Sequence, residues 1–228
     1  MKFEVIITGA GKGIGLALTK RFAAKGWHVI ALSRNVERLS EIPNVEVVQG
    51  DLTDRKHLEA FFLRMNNSES ADFRVLIHNA ALLVKTPFQS ISDIEYENMK
   101  AINLDVPFLL TRNLIPWCLS AKKAHVLFIG SMGGFQGSLR YPGLSLYSAL
   151  KSAQASLCES LASEYSDTSV HFNTLSLGAV NTDMLEESFP GYRADVNTDQ
   201  ISKFIVEFTC SGYDLFNGKT IPVSKGNP

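Results

Sequence analysis

Tyr147 and Lys151 stand four positions apart in the run Tyr-Ser-Ala-Leu-Lys. On a helix this spacing places both side chains on one face, about one turn apart. A free phenol has a pKa of about 10 and exchanges protons poorly at pH 7, but a neighbouring ammonium favours the phenolate and lowers that pKa. The pair is therefore a candidate proton-transfer device for a carbonyl or an alcohol. The alternative is two ordinary residues of a solvated helix, because this spacing often arises by chance.

A glycine-rich turn near the start of the chain gives the pair its context. Residues 3–7 are mostly apolar and predict a buried parallel strand, and a helix is expected to run to about Lys25. The glycines between them let the backbone turn tightly and approach a pyrophosphate, which the free N–H groups at the helix start bind. The strand–turn–helix order predicts nucleotide binding, the alternative being an ordinary turn. The binding turn comprises Gly9, Gly11, Lys12, Gly13, Ile14 and Gly15.

The end of the second predicted strand favours NADP over NAD. This strand covers residues 27–32 and leads into Ser33 and Arg34, with no Asp or Glu between Gly15 and Glu37. In a nucleotide-binding sheet an acidic residue here binds the ribose 2′-hydroxyl of NAD, whereas an arginine accommodates the 2′-phosphate of NADP. Lys12 supplies a second positive charge. The alternative for Arg34 is a solvated loop cation.

The third strand precedes a candidate adenine contact. A short helix is expected around residues 36–40, then a strand over residues 45–48. Asp51 is placed to accept from the adenine amine while Leu52 packs on the ring. Thr53 or Asp54 is expected to cap the helix that follows, and both interpretations can hold together.

Further candidate residues follow the later strands. The fourth strand, residues 74–77, ends at His78, which has no partner at metal-ligand spacing, so no metal site is predicted. The fifth, residues 126–129, leads to Ser131, and the loop from there to Tyr147 is apolar enough to cover a pocket, or else to pack on another loop or subunit. A helical region from Ser92 contains Asn103 and bends near residues 105–107. The small or polar residues that follow strand four are Asn79, Ala80 and Ala81.

Strands that alternate with helices predict an α/β doubly wound parallel sheet, the Rossmann fold, with about seven strands and helices on both faces. One domain is expected over residues 1–228, with a substrate lid at about 183–198 and a last strand whose Pro222 suggests a sheet edge. In such a sheet ligands bind beyond the carboxyl ends of the strands. The candidate residues all follow strands, so they are expected to gather at one edge.

Composition excludes several classes of function. The net charge is −1, which predicts no nucleic-acid or anionic-membrane partner, and no apolar run approaches the ~20 residues that span a bilayer. Three widely spaced cysteines form neither a disulfide framework nor a zinc pattern. A cytoplasmic protein with reduced thiols is expected.

Taken together, these motifs resemble the short-chain dehydrogenase/reductase family in its single-domain form, over essentially the whole chain. The resemblance implies NADP(H)-dependent interconversion of a carbonyl and an alcohol, as in a carbonyl reductase, with a small-molecule substrate and a homodimer or homotetramer. Tyr147 would be the general acid/base, Ser131 would orient the substrate oxygen, and Lys151 would lower the tyrosine pKa and hold the nicotinamide ribose. Asn103 would position a water in the proton relay. The resemblance also places Val180 and Thr182 against the nicotinamide end.

Three departures from the family pattern leave substrate identity open. His78 and Ala81 replace the usual Asn and Gly on either side of Asn79-Ala80, and Leu177 stands where a proline usually precedes Gly178. The loop from Ser131 to Tyr147 is also a few residues longer than the common form. None of these changes removes a candidate catalytic group.

Two other functions remain as alternatives. The first is a non-catalytic NADP-binding regulatory or scaffolding protein on the same fold; such proteins often lose the tyrosine or the lysine, and this chain keeps both. The second is a sugar-nucleotide epimerase or dehydratase. Those relatives usually carry a C-terminal substrate domain, for which the last strand near Val223 leaves no room.

Overall fold

The computed structural model describes residues 1–226, and within them the chain forms seven strands and seven α-helices. The strands are β1 Phe3–Thr8, β2 His28–Ser33, β3 Val45–Gln49, β4 Phe73–His78, β5 Lys123–Ser131, β6 Val170–Leu177 and β7 Lys219–Val223. The helices are α1 Gly13–Ala24, α2 Arg55–Asn66, α3 Asp93–Lys100, α4 Val106–Leu119, α5 Ser145–Glu164, α6 Asp183–Ser188 and α7 Thr198–Ser211. A π-helical turn, Ala101–Asp105, joins α3 to α4.

The seven strands form one parallel sheet in the order β3-β2-β1-β4-β5-β6-β7. The strand order reverses between β1 and β4, so the connections after these two strands diverge and open a crevice at their carboxyl ends. The predicted doubly wound sheet is confirmed. Pro222 lies in β7, which is an edge strand as predicted, because a central strand would need its missing N–H.

Two apolar layers enclose the sheet, one on each face. Along β1, Val5 and Ile7 pack into one core cluster and Ile6 into the other, since successive strand side chains point to opposite faces. Helices α1 and α7 cover the first face, where Phe22 and Ile205 are fully buried. Helices α2, α4 and α5 cover the second. Burial on both faces explains why the central strands are apolar almost throughout.

The prediction of a short helix around residues 36–40 is wrong. The structure has turns there, in which the amides of Leu39 and Ser40 both donate to the Val36 carbonyl. A helix this short gains few hydrogen bonds for the backbone it orders, and Pro43 follows closely. The buried Leu39 side chain holds the turns against the core instead.

Within residues 1–226, no helix is both long and apolar enough to cross a bilayer. The same part of the chain contains no group of three or more His, Cys, Asp or Glu side chains arranged to hold a metal ion.

Candidate active site

A cavity of about 610 Å³ lies at the carboxyl edge of the sheet, where β1, β2, β4, β5 and β6 end. Nearly all of the site residues predicted from sequence line it. Gly15 and Asn103 are the two exceptions, and both lie immediately behind the cavity wall. The predicted residues that line the cavity are Gly9, Gly11, Lys12, Gly13, Ile14, Ser33, Arg34, Asp51, Leu52, Asn79, Ala80, Ala81, Ser131, Tyr147, Lys151, Val180 and Thr182.

Glycine is required in the first turn on conformational and steric grounds. Gly9 has φ +65°, a left-handed conformation that side chains disfavour, and a Cβ there would stand 3.0 Å from the Ala80 Cα. A Cβ on Gly15 would stand 2.2 Å from the Gly9 carbonyl oxygen. The turn therefore folds tightly onto the start of α1 and onto the end of β4.

Asn79 ties the ends of β4 and β1 together. Its side-chain amide donates to the carbonyls of Thr8, at 2.9 Å, and Gly9, at 3.3 Å. The Thr8 hydroxyl accepts from the backbone amides of Asn79 and Ala80, each at 3.0 Å. These bonds satisfy polar groups in a partly buried position and fix the small residue Ala80 against the glycine turn.

The start of α1 is an open anion site. Lys12 occupies the N-cap position with an extended backbone and makes no side-chain capping bond, and the first turn contains no acidic residue. The first N–H groups of a helix have no intrahelical partner, and the helix dipole makes this end positive. A dinucleotide pyrophosphate fits this cradle, in which the glycines leave room for the backbone to reach the phosphates.

Both positive charges that the sequence predicted beside a bound adenosine lie at the cavity. Arg34 and Lys12 are exposed at the rim. The Asp51 carboxylate accepts from the backbone amide and the hydroxyl of Thr53, each at 2.8 Å, and these bonds, with a smaller effect of Arg34, lower its pKa. Asp54, rather than Thr53, caps α2 by accepting from two backbone amides. Both roles proposed for this segment are therefore compatible.

Tyr147 is buried at the centre of the cavity wall, 8% exposed. Burial raises the pKa of its phenol to about 12, and a hydrogen bond with Ser131 opposes that rise. The sequence predicted a phenol pKa lowered by Lys151. In this structure desolvation is the larger effect, because the Lys151 ammonium lies 5.8 Å from the tyrosine ring centre and bonds elsewhere. The phenol of Tyr147 is thus protonated at neutral pH.

Lys151 is also buried, 2% exposed, and burial lowers the pKa of its amine to about 7. The amine donates to the Ile129 carbonyl at 2.9 Å and to the Gln154 side-chain oxygen at 3.1 Å. An ammonium has three hydrogens to donate. Two of these hydrogens are donated to oxygen atoms of the protein.

Asn103 lies in the π-helical turn and is fully buried. Its side chain donates to the carbonyls of Leu82, at 2.7 Å, and Met99, at 2.9 Å, and accepts from the Leu82 amide at 3.2 Å. Its own carbonyl accepts from the Gln154 side-chain amide. The side chain thus clamps the loop after β4 to the helical layer, while the carbonyl faces α5.

The wall opposite the cofactor cradle is mostly apolar. Leu82 and Leu83 line it from the loop after β4, and Phe189 and Tyr192 from the segment after α6. The Lys85 ammonium lies 4.4 Å from the centre of the Phe189 ring, a cation–π contact that joins these two segments. The predicted lid segment therefore forms one side of the cavity.

The loop between Ser131 and Tyr147 was predicted either to cover a pocket or to pack on another loop or subunit, and it both lines the cavity and packs on another loop. Tyr141 and Leu144 line the cavity, whereas Leu139 is exposed. The Gly143 carbonyl accepts from the Thr86 amide at 3.0 Å, so the loop also packs on the segment after β4.

Gln154 was not among the site residues predicted from the sequence. It is a fully buried polar side chain that contacts both Lys151 and Asn103. A signal was present, because a glutamine three positions after a candidate catalytic lysine lies on the same helix face.

Comparisons with known proteins agree with this geometry. Residues 4–193 match the sequence profile of the family described as short chain dehydrogenase. An uncharacterized oxidoreductase of Bacillus subtilis strain 168, YmfI, is 26% identical over 209 residues, which are 86% of this chain and 82% of that protein. The 3beta-hydroxysteroid dehydrogenase 1 of Eggerthella lenta is 27% identical over 207 residues, which are 86% of this chain and 78% of that protein.

Solved structures with the same fold contain nicotinamide cofactors. A 4-hydroxyisoleucine dehydrogenase in complex with NADH superposes with a TM-score of 0.86 at 26% identity, over 99% of this chain and 98% of that one. A Beutenbergia cavernae protein assigned as an NAD(P)-dependent gluconate 5-dehydrogenase, with NADP bound at low occupancy, has a TM-score of 0.82 at 26% identity, over 96% and 94% of the two chains.

Proposed function

This chain belongs to the short chain dehydrogenase family and is an oxidoreductase of that family, and from this premise we propose that it interconverts a carbonyl and an alcohol with NADP(H), using Tyr147 as the general acid/base. The observation that carries the proposal is that Tyr147, Ser131 and Lys151 share one cavity with an open helix N-terminus. In this proposal the phenol serves as a proton donor beside a dinucleotide bound at the start of α1.

The proposed roles follow from what each side chain can do. When bound, the nicotinamide supplies or accepts a hydride. Ser131 orients the substrate oxygen, and Tyr147 donates its phenolic proton to that oxygen during reduction. Lys151, while charged, stabilises the phenolate that remains. A phenol with a pKa of about 12 is protonated at neutral pH, which is the form that donates a proton during reduction.

NADP(H) is the preferred cofactor in this proposal. Arg34 and Lys12 supply two positive charges at the adenosine end for a 2′-phosphate. Asp51 and Leu52 would contact the adenine. Val180 and Thr182 would contact the nicotinamide end, and Lys151 its ribose. A cytoplasmic location and a homodimer or homotetramer belong to the same proposal and stay predictions.

We assign the substrate to the hydrophobic carbonyl compounds. The wall between Tyr147 and α6 is built from leucines and aromatic residues. Such a surface gains free energy by removing apolar groups from water and offers little to a charged substrate.

Replacement of the phenol tests the proposal. Tyr147→Phe should reduce NADPH-dependent turnover of a hydrophobic ketone or aldehyde at least about 100-fold, because general acid catalysis contributes factors of this size. NADPH affinity, measured by fluorescence titration, should stay within about twofold, since the ring remains. Turnover is followed as loss of NADPH absorbance. Undiminished turnover in the variant would contradict the role of Tyr147, and NADPH binding without turnover in the wild type would favour the non-catalytic alternative.

A further inference from the structure

Gln154 links two groups of the candidate site that do not touch each other directly. It lies one turn after Lys151 on α5 and is fully buried. Its side-chain oxygen accepts from the Lys151 amine at 3.1 Å, and its side-chain nitrogen donates to the Asn103 carbonyl. A buried carboxamide that satisfies a partner at each end is held in one position.

The orientation of this carboxamide is fixed by the chemistry of its partners. A lysine ammonium only donates, so it requires the amide oxygen, and a backbone carbonyl only accepts, so it requires the amide nitrogen. If the amide were flipped, its nitrogen would face the Lys151 ammonium and its oxygen would face the Asn103 carbonyl, so neither hydrogen bond would form. The bridge therefore has one satisfactory arrangement.

We propose that Gln154 is a positioning residue that keeps Lys151 protonated and directed along the cavity wall by bridging it to the Asn103 carbonyl. This inference rests on the proposed function, in which the charge of Lys151 supports Tyr147. It assigns to a side chain of α5 a contact with Asn103 that the family resemblance gave to a water.

The groups around the Lys151 amine are uncharged, so the Gln154 side-chain oxygen should have a large effect on the pKa of that amine. The titratable groups near the amine are Tyr147 on the same helix and His78 at the end of β4. Burial holds the pKa of His78 at about 3, so that ring is neutral, and the tyrosine is neutral as well. β5 contributes the Ile129 carbonyl, and Gln154 connects the amine to the π-helical turn.

Uncharged oxygens therefore stabilise the ammonium, and removal of one of them changes its protonation. A hydrogen bond to a charged group stabilises the charged form enough to shift a pKa by roughly one or two units. Gln154→Met keeps the length of the side chain and removes the acceptor, so the pKa of Lys151 should fall. Gln154→Glu places a carboxylate beside the amine, so the pKa should rise.

The test is an NMR titration of the lysine side chains in the full-length, cofactor-free protein, with Lys151→Arg to identify the Lys151 signal. We expect the pKa of Lys151 to fall by roughly one unit in Gln154→Met and to rise by at least as much in Gln154→Glu. A role limited to packing would not move it in opposite directions. An unchanged Lys151 titration in either folded variant would overturn the proposal, and if one variant does not fold, the other decides alone.

Turnover gives a second readout. The rate of carbonyl reduction should decline where Lys151 loses its proton, so this alkaline limit should move to lower pH in Gln154→Met and to higher pH in Gln154→Glu. The NMR titration needs neither cofactor nor turnover. It therefore tests the role of Gln154 even if the wild-type protein reduces no carbonyl. A wild-type protein without reductase activity would count against the proposed function and not against the role of Gln154.

Discussion

Tyr147 and Lys151 lie on one helix face with their polar ends largely withdrawn from water. Burial disfavours the charged form of each, so it raises the pKa of the phenol and lowers that of the amine. The spacing in the sequence predicted the pairing, but it did not predict that desolvation outweighs the attraction between the two groups. The Ser131 hydroxyl opposes the rise for Tyr147, and we propose that the Gln154 carboxamide acts on Lys151 in a comparable way.

Arg34 is the residue on which cofactor preference depends in our proposal. Arg34→Asp should weaken NADPH binding at least about tenfold, because a charge-assisted hydrogen bond of 1.5 kcal/mol or more is lost and a repulsion replaces it. NADH, which lacks the 2′-phosphate, should bind with little change or more tightly. Fluorescence titration with both cofactors measures the ratio.

Arg38 offers a matched control for this substitution. It is an exposed arginine of the same loop that does not line the cavity. Arg38→Asp should leave the ratio of the two affinities unchanged. Equal losses for NADPH and NADH in Arg34→Asp would place the 2′-phosphate elsewhere.

Among the elements, the junction of α3, the π-helical turn and α4 supports two parts of the cavity wall. The wider turn places the Asn103 side chain against the loop after β4 and its carbonyl against α5. The sequence indicated a bend here from Asp105 and Pro107, but not its type. A π-turn depends on contacts with distant segments, which local propensity does not report.

Asn103→Ala should therefore loosen the loop at Leu82. The substitution leaves the Leu82 amide and carbonyl without their partners in a partly buried place, so we expect the protein to lose about 1–3 kcal/mol of unfolding free energy. Turnover should fall as well, because Ala80 to Leu82 line the cavity. Denaturant unfolding and NADPH oxidation measure the two effects.

Asn113 on α4 is a control with similar local chemistry. Like Asn103, it donates its side-chain amide to the carbonyl four residues earlier, but it does not line the cavity. Asn113→Ala should cost less than about 1 kcal/mol and leave turnover intact. If the two variants behaved alike, the clamp at Leu82 would have no special role.

At the scale of the whole molecule, the alternation of apolar strands with helices was sufficient to predict the doubly wound sheet and the edge at which the site forms. Candidate residues such as Arg34 and Tyr147 follow strand ends, and topology brings those ends together. Interactions between distant buried polar groups were beyond this reasoning. Arg74, for example, pairs with Glu4 across two strands and donates to the Trp117 carbonyl, and no local pattern marks that choice.

The buried histidine His78 makes overall stability depend on pH. Burial lowers its pKa to about 3 in the folded chain, against about 6.5 when unfolded. The unfolded chain therefore binds the proton first, and stability is lost as pH falls from about 6.5 toward 3. His78→Asn introduces the residue that is usual in the family. It should remove roughly 2 kcal/mol of the fall in unfolding free energy between pH 7 and pH 5.

Urea unfolding at the two pH values measures this decline, with His57→Gln as the control because His57 is exposed on α2. That control should keep the wild-type dependence on pH. An unchanged decline in His78→Asn would show that His78 does not contribute to it.

The most direct test of the proposed reaction is the transfer of deuterium from NADPH labelled at the nicotinamide C4 position. The wild-type protein and Tyr147→Phe would be incubated with a panel of hydrophobic ketones and aldehydes, and the alcohols analysed by mass spectrometry with both C4 stereoisomers of the label. We predict one deuterium on the carbinol carbon of at least one product, from one stereoisomer only, with the variant reduced at least about 100-fold. NADPH binding without labelled alcohol from any member of the panel would contradict the account and identify a cofactor-binding protein without this activity.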